Sequence, residues 1–182
     1  MCNLDRIAGL LISASAAIVA GIVLAATATA LAGSWWTSGA NGPIMITIAA
    51  LSAFAMSNVS GAAIEAAKCT IGPCKEAAEK LLAALYALAA SLGALTAASV
   101  VAAFTAVIPY AGVGIAVAIG VSATIAGIAL AVISTVFLPQ LDTCRTSVGA
   151  SPPSGLVEFQ KGFGGAVGFA LAATGVYVGL PF

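Results

Sequence analysis

The sequence predicts an all-α, polytopic membrane protein, with four to five transmembrane helices in a compact bundle rich in small residues. Three observations lead to this fold class. First, 62% of the 182 residues are hydrophobic and 7% are charged, whereas soluble domains are about 45–50% apolar and about 25% charged. Second, the apolar residues form uncharged runs longer than the roughly 18 residues that suggest a spanning helix. Third, the charged residues are confined to a few short segments.

The first hydrophobic run, residues 7–32, contains no charged residue. The segment Ala30-Leu31-Ala32 at its end resembles a signal-peptide cleavage site, because it has a small residue on either side of Leu31. The run is nevertheless much longer than the apolar region of a signal peptide, which favours a spanning helix. We expect one membrane domain over residues 1–182, with this run as its first span.

An uncharged turn, residues 33–43, separates the first span from the second. It carries Trp35 and Trp36, and such aromatic residues are typical of the membrane–water interface. The second span covers residues 44–67. Because an unpaired amide in lipid is costly, Asn58 in its middle is expected to hydrogen-bond a neighbouring helix.

The polar loop 68–80 is the densest charged stretch of the chain, and we interpret it as a water-facing turn between two membrane hairpins. The third helix begins within it and spans the membrane over residues 81–108. Tyr110, another interfacial aromatic residue, precedes the fourth span, residues 113–138. Pro139 is expected to end that span, because proline disrupts helix interiors.

The longest polar loop, residues 140–162, leads to a final apolar segment over residues 163–180. Its length fits a fifth spanning helix. Six glycines from Gly162 to Gly179 lower the intrinsic helicity, so a re-entrant or surface-lying segment is the alternative.

Charge is segregated between the two ends of this five-helix arrangement. All twelve charged residues fall on the side of the N-terminus and the two polar loops, and none falls on the other side. Because short loops rich in Lys and Arg stay in the cytoplasm, we predict a multi-pass protein of the cell membrane. Its N-terminus and charged loops are cytoplasmic, and its uncharged loops lie outside.

The four cysteines, Cys2, Cys69, Cys74 and Cys144, also fall on the charged side. In a reducing cytoplasm they should be free thiols. Two alternatives stay open. The four sulfurs are weak candidates for a zinc site, or they form disulfides, which would reverse the predicted orientation.

Small residues recur at four-residue spacing, which lets membrane helices approach closely. The glycines that mark these predicted helix-packing faces are Gly21, Gly93, Gly127, Gly164 and Gly168. Packing within the chain is favoured. Contact of one or more faces with other subunits is the alternative.

Several functional classes lack their usual residues. The chain has no histidine, the commonest acid–base residue. It also has no charged residue in the middle of a span, where pumps and coupled transporters usually need one. Glu65 lies at the charged boundary and is expected to pair with Lys68. We therefore predict no enzyme activity, no cofactor and no metal, while a bound lipid or pigment remains compatible with the sequence.

The predicted partners are membrane lipid and either other membrane subunits or copies of the chain itself. Nucleic acid is not among them, because the net charge is zero. The favoured function is a non-catalytic structural or accessory subunit of a larger membrane complex. A homo-oligomeric pore is the second hypothesis, and a small channel or transporter for an uncharged solute is the third. The pore would be lined by hydroxyl side chains, namely Ser13, Ser15, Thr27, Thr29, Ser57 and Ser60.

Overall fold

A computed structural model describes residues 2–32, 42–105 and 111–179. Trp35, Trp36 and Tyr110 lie outside the described residues. The described chain is helical and contains no strand, and its elements follow from the long apolar runs. The helices are α1 (Leu4–Ala32), α2 (Gly42–Ala67), α3 (Lys75–Thr105), α4 (Ala111–Val132), α5 (Leu138–Ser147) and α6 (Gly155–Gly179).

Five stretches of helix are long and apolar enough to cross a membrane. They correspond to α1, to α2 with the turn after it, to α3, to α4 continued into α5, and to α6. The predicted fold class, a compact bundle of membrane-spanning helices, is confirmed. The last apolar segment is the fifth of these helices, and it packs against α4 and α1.

The helices form a closed ring in the order α1, α2, α3, α4, α6, with α6 returning to α1. Contact is most extensive between α4 and α6 and least extensive between α1 and α6. Helix α3 supplies a column of leucines to the centre, at alternating spacings of four and three residues. These leucines are Leu81, Leu85, Leu88, Leu92 and Leu95, and each is buried.

Pro139 does not end the fourth helix, contrary to the prediction. Residues 133–137 form a π-helical turn that joins α4 to α5. In this turn the backbone N–H of Leu138 donates to the carbonyl oxygen of Ile133. Pro139 then occupies the first turn of α5, where its missing N–H and fixed φ are tolerated. The helix therefore passes the proline by widening one turn.

Helix α6 begins at Gly155, eight residues earlier than the predicted fifth span. The Ser154 hydroxyl oxygen accepts a hydrogen bond of 3.2 Å from the backbone N–H of Val157, which is the N-cap arrangement. The same hydroxyl donates to the carboxylate of Asp5 in α1. With α5 before it and α6 after it, the predicted loop 140–162 is reduced to residues 148–154.

The four cysteines form two disulfides, Cys2–Cys69 and Cys74–Cys144, so the expectation of free thiols is wrong. The Cα atoms are 4.7 Å and 6.0 Å apart respectively, within the usual range for a disulfide. Helix ends from four parts of the chain converge at the charged end of the bundle, which brings the sulfurs together. As disulfides, the cysteines are also not the thiolates that a zinc site requires.

Candidate functional site

A buried polar contact joins three helical elements in the half of the bundle that carries the charged residues. The side-chain Nε2 of Gln160 in α6 donates to the hydroxyl oxygens of Ser15 in α1 and Ser134 in the π-helical turn, each at 3.2 Å. All three side chains are fully buried. The other amide atom of Gln160, Oε1, has no hydrogen-bond partner among the described residues. This contact fixes α1, α6 and the π-helical turn relative to one another.

Gly164 lies one turn after Gln160, and its lack of a side chain makes this contact possible. A Cβ at Gly164 would overlap the Gln160 amide and the Ser134 hydroxyl. Gly164 therefore acts in packing, as predicted for it, by leaving room for the buried Gln160 amide.

Glu65 is the buried acid of the charged end. Its carboxylate accepts from Lys68 Nζ at 3.2 Å and lies 3.3 Å from Arg6 Nε. Its side chain is 10% exposed, whereas those of Arg6 and Lys68 are 65% and 51% exposed. The predicted pairing of Glu65 with Lys68 is confirmed, and Arg6 is a second partner. The ion pair between Arg6 and Glu65 links the start of α1 to the end of α2. The Cys2–Cys69 disulfide joins the same two helix ends.

The expected hydrogen bond from Asn58 to a neighbouring helix is not formed by its amide nitrogen. Nδ2 of Asn58 is buried and has no partner within the described ranges.

The small-residue faces of α4 and α6 pack directly on each other. A Cβ at Gly168 would lie 2.5 Å from the backbone nitrogen of Ala131, and a Cβ at Gly175 would lie 2.5 Å from that of Thr124. Real Cβ atoms do not approach this closely, so glycine is required at both positions. In the α2–α3 contact, Gly93 faces the sulfur of Met56, 3.2 Å from a built Cβ.

Gly21 is placed differently from the other predicted packing glycines. A Cβ at Gly21 would meet no heavy atom within 4 Å among the described residues. Gly21 instead lines a cavity of about 60 Å³ to which all five long helices contribute. The small-residue face of α1 therefore borders a space rather than a helix.

The predicted pore-lining hydroxyls do not share one interior surface. Ser15 is buried in the contact with Gln160, whereas Ser13, Ser57 and Ser60 are exposed on the outside of the bundle. Thr27 is exposed and donates to the carbonyl oxygen of Val23. The side chain of Thr29 lies outside the part that the structure describes.

Helix α3 presents an outward column of alanines, which the sequence reasoning missed. Ala83, Ala87, Ala90, Ala94 and Ala97 are all exposed, on the opposite face from its buried leucines. The outward residues of α4 are bulkier, among them Val117, Val121, Ile125 and Ile128. The signal was present in the sequence as alternating spacings of four and three residues, with each alanine two positions after a leucine.

Within the described ranges, no group of three or more His, Cys, Asp or Glu side chains is arranged to hold a metal ion. The features with a defined geometry are the buried contact at Gln160, the ion pairs of Glu65, the cavity at Gly21 and the alanine column of α3. Comparisons with protein-family models, with curated proteins and with solved structures found no match to this chain.

Proposed function

We propose that this chain is a non-catalytic integral membrane protein that packs as a structural or accessory subunit in a larger membrane complex. The observation that carries the proposal is the alanine column of α3, Ala83–Ala97. Side chains that face lipid need no special size, whereas helix–helix contacts in membranes are enriched in small residues that allow close approach. The column is a helix-contact surface without a helix from the described chain on it.

The contrast with the other small-residue faces supports this assignment. The glycine faces of α4 and α6 are covered by each other, so they are not available to a partner. The outward face of α4 is bulky and suits lipid. Helix α6 carries a shorter exposed column of small residues, Gly162, Ala166, Ala170 and Ala173, so α3 is distinguished by the length of its column.

Charged residues extend the alanine column at the water-facing end of α3. Glu76 and Lys80 continue its spacing of four and three residues, and their charged atoms lie 3.8 Å apart. Lys75 and Glu79 form a second exposed pair, also at 3.8 Å. A partner helix along the column would meet both signs of charge at the membrane boundary, which favours specificity and register more than affinity.

We further propose that the charged end of the bundle faces an oxidising compartment. Disulfides persist outside the reducing cytoplasm, and both disulfides lie at this end. This orientation is opposite to the one predicted from the positive residues. The charge rule counts Lys and Arg in short loops and gives Asp and Glu little weight, so the proposed orientation rests on the disulfides alone.

A photocrosslinking amino acid placed at Ala90 tests the subunit proposal in the native membrane. We expect Ala90 to crosslink to a different polypeptide, and Ala118, an exposed alanine among the bulky outward residues of α4, to crosslink mainly to lipid. Equal protein crosslinking from both positions, or none from Ala90, would overturn the proposal.

A homo-oligomeric pore is the second candidate, and the outward hydroxyls of α2 favour it. Ser57 and Ser60 are exposed on the outer surface, where they could line a channel between copies. In the crosslinking experiment this function predicts adducts at multiples of the chain mass. Conductance in planar bilayers would then be lost on replacing both serines with leucine.

A further inference from the structure

The cavity at Gly21 occupies the half of the bundle remote from the disulfides. It lies where the leucine column of α3 stops, since Leu95 borders it and the next inward positions of α3 are Ser99 and Ala102. These shorter side chains leave the centre of the ring unfilled. The space is neither sealed nor a surface groove.

One wall of the cavity is formed by α1, where a column of small residues lies beside Ile18 and Ile22. Ala17, Gly21 and Ala25 line it at spacings of four residues. Eight residues of helix correspond to about 12 Å at 1.5 Å per residue. The cavity therefore runs as a narrow slot along the bundle rather than as a rounded chamber.

The lining is almost wholly apolar, so the cavity offers a polar ligand few hydrogen-bonding groups. Ser52 and Thr174 are the polar side chains among the lining residues. The Thr174 hydroxyl already donates to the carbonyl oxygen of Ala170 at 2.8 Å. A buried water needs two to four polar partners, so a row of waters would be poorly held here.

The volume indicates a thin occupant. The volume of about 60 Å³ is the space open to the centre of a water-sized sphere. One water-sized group occupies about 10–15 Å³ of such space, so the cavity admits about four to six of these groups. In a slot about 12 Å long, these groups stand in single file. A linear alkyl chain matches the slot in thickness, length and polarity, whereas a ring system is too wide.

We propose that the cavity binds the end of one linear alkyl chain from a membrane lipid. The chain enters from the half of the bundle opposite the disulfides, with its headgroup outside the ring. The contact surface is supplied by Gly21 and Ala17 of α1, Ile119 and Ala123 of α4, and Leu171 and Val178 of α6. This site is independent of the alanine column on α3 and of any partner bound there.

The test uses the purified full-length protein in phosphatidylcholine vesicles that contain a phosphatidylcholine with a diazirine near the end of one acyl chain. After irradiation, adducts are mapped by tandem mass spectrometry. We expect adducts on the buried residues Leu171 or Val178, in addition to those on the outward residues Val121 and Ile125 that any lipid reaches. A probe with a bulky adamantyl diazirine in place of the linear chain should label only the outward residues.

Two matched variants locate the site. Gly21→Leu should reduce the interior adducts at least tenfold, because its side chain enters the slot, and should leave the outward adducts unchanged. Gly162→Leu, at an exposed glycine of α6 with no described atom within 4 Å of a built Cβ, should leave both sets unchanged. The proposal is overturned if the linear probe labels only outward residues, or if the adamantyl probe labels the interior equally. Both of these outcomes are read from the unaltered protein, so they hold even if Gly21→Leu fails to fold.

Discussion

Gly127 of α4 and Gly168 of α6 face each other across a contact between two helix backbones. A Cβ at Gly127 would lie 2.5 Å from the carbonyl oxygen of Gly168, and a Cβ at Gly168 would lie 2.6 Å from that of Gly127. Each glycine thus makes room for the other helix's main chain. Because van der Waals contact is a main source of helix association in lipid, this close approach is central to the stability of the bundle.

Replacing Gly168 with valine should destabilise the bundle. Overpacking of a tight contact costs about 1–3 kcal/mol, and backbone atoms can yield only if the whole of α6 shifts. Unfolding in mixed detergent micelles, followed by circular dichroism, measures the loss. Gly162→Val is the control, since Gly162 is exposed on the same helix. Equal losses in the two variants would show that the α4–α6 approach contributes little.

Ser15 and Gln160 should be energetically coupled. Hydrogen bonds between membrane helices contribute about 0.6 kcal/mol on average and up to about 1.7 kcal/mol. A double-mutant cycle with Ser15→Ala and Gln160→Leu should return a coupling in this range, measured from the free energies of unfolding. Ser13 lies two residues away and is exposed, so the same cycle with Ser13→Ala should give no coupling. A coupling that is equally large with Ser13 would contradict the contact.

The ion pairs of Glu65 should be asymmetric in their effect on stability. Removing both bases, in Arg6→Ala with Lys68→Ala, leaves a mostly buried carboxylate without its partners. The expected cost is about 1–3 kcal/mol, the range for a buried polar group that is left without its partner. Glu65→Gln should lower the free energy of unfolding by less, because the Arg6 and Lys68 side chains that lose their partner are already more than half exposed to solvent. The measurement is again unfolding in mixed micelles, and the reverse order of losses would sink the interpretation.

Membrane-impermeant reagents should report the disulfides and the orientation together. In intact cells, an impermeant maleimide should label none of the four cysteines before reduction. After treatment with an impermeant reductant it should label them, because the disulfides face the oxidising side. Labelling only after the membrane is permeabilised would place this end in the cytoplasm. Labelling without reductant would mean that the thiols are free.

The helix count was predictable from the sequence, because hydrophobic runs of span length and segregated charges follow directly from the order of residues along the chain. The continuation of the fourth helix past Pro139 was not predictable in this way. A proline disrupts a helix that keeps its regular hydrogen-bond ladder, and the ladder here is widened over residues 133–137 by a π-helical turn. No residue type predicts a π-helical turn.

The disulfides were left as an alternative and the alanine column was missed, for different reasons. The pairing of Cys2 with Cys69 depends on which helix ends meet, and connectivity does not follow from cysteine positions. The two columns of α3 were both visible in the sequence, but both are apolar. Which one faces inward is decided by the closure of the ring, which buries Leu88 and leaves Ala90 outside.

The two disulfides divide the chain into covalent units. One closes a macrocycle over residues 2–69 and the other over residues 74–144, joined by a tether of residues 70–73. Among the described helices, α6 alone lies beyond both macrocycles, attached through residues 148–154. A protease cut within either macrocycle would leave the fragments covalently joined, whereas a cut in residues 148–154 would leave α6 held only by its packing, chiefly against α4. Helix α6 is therefore the one described helix that two copies could exchange without breaking a covalent bond.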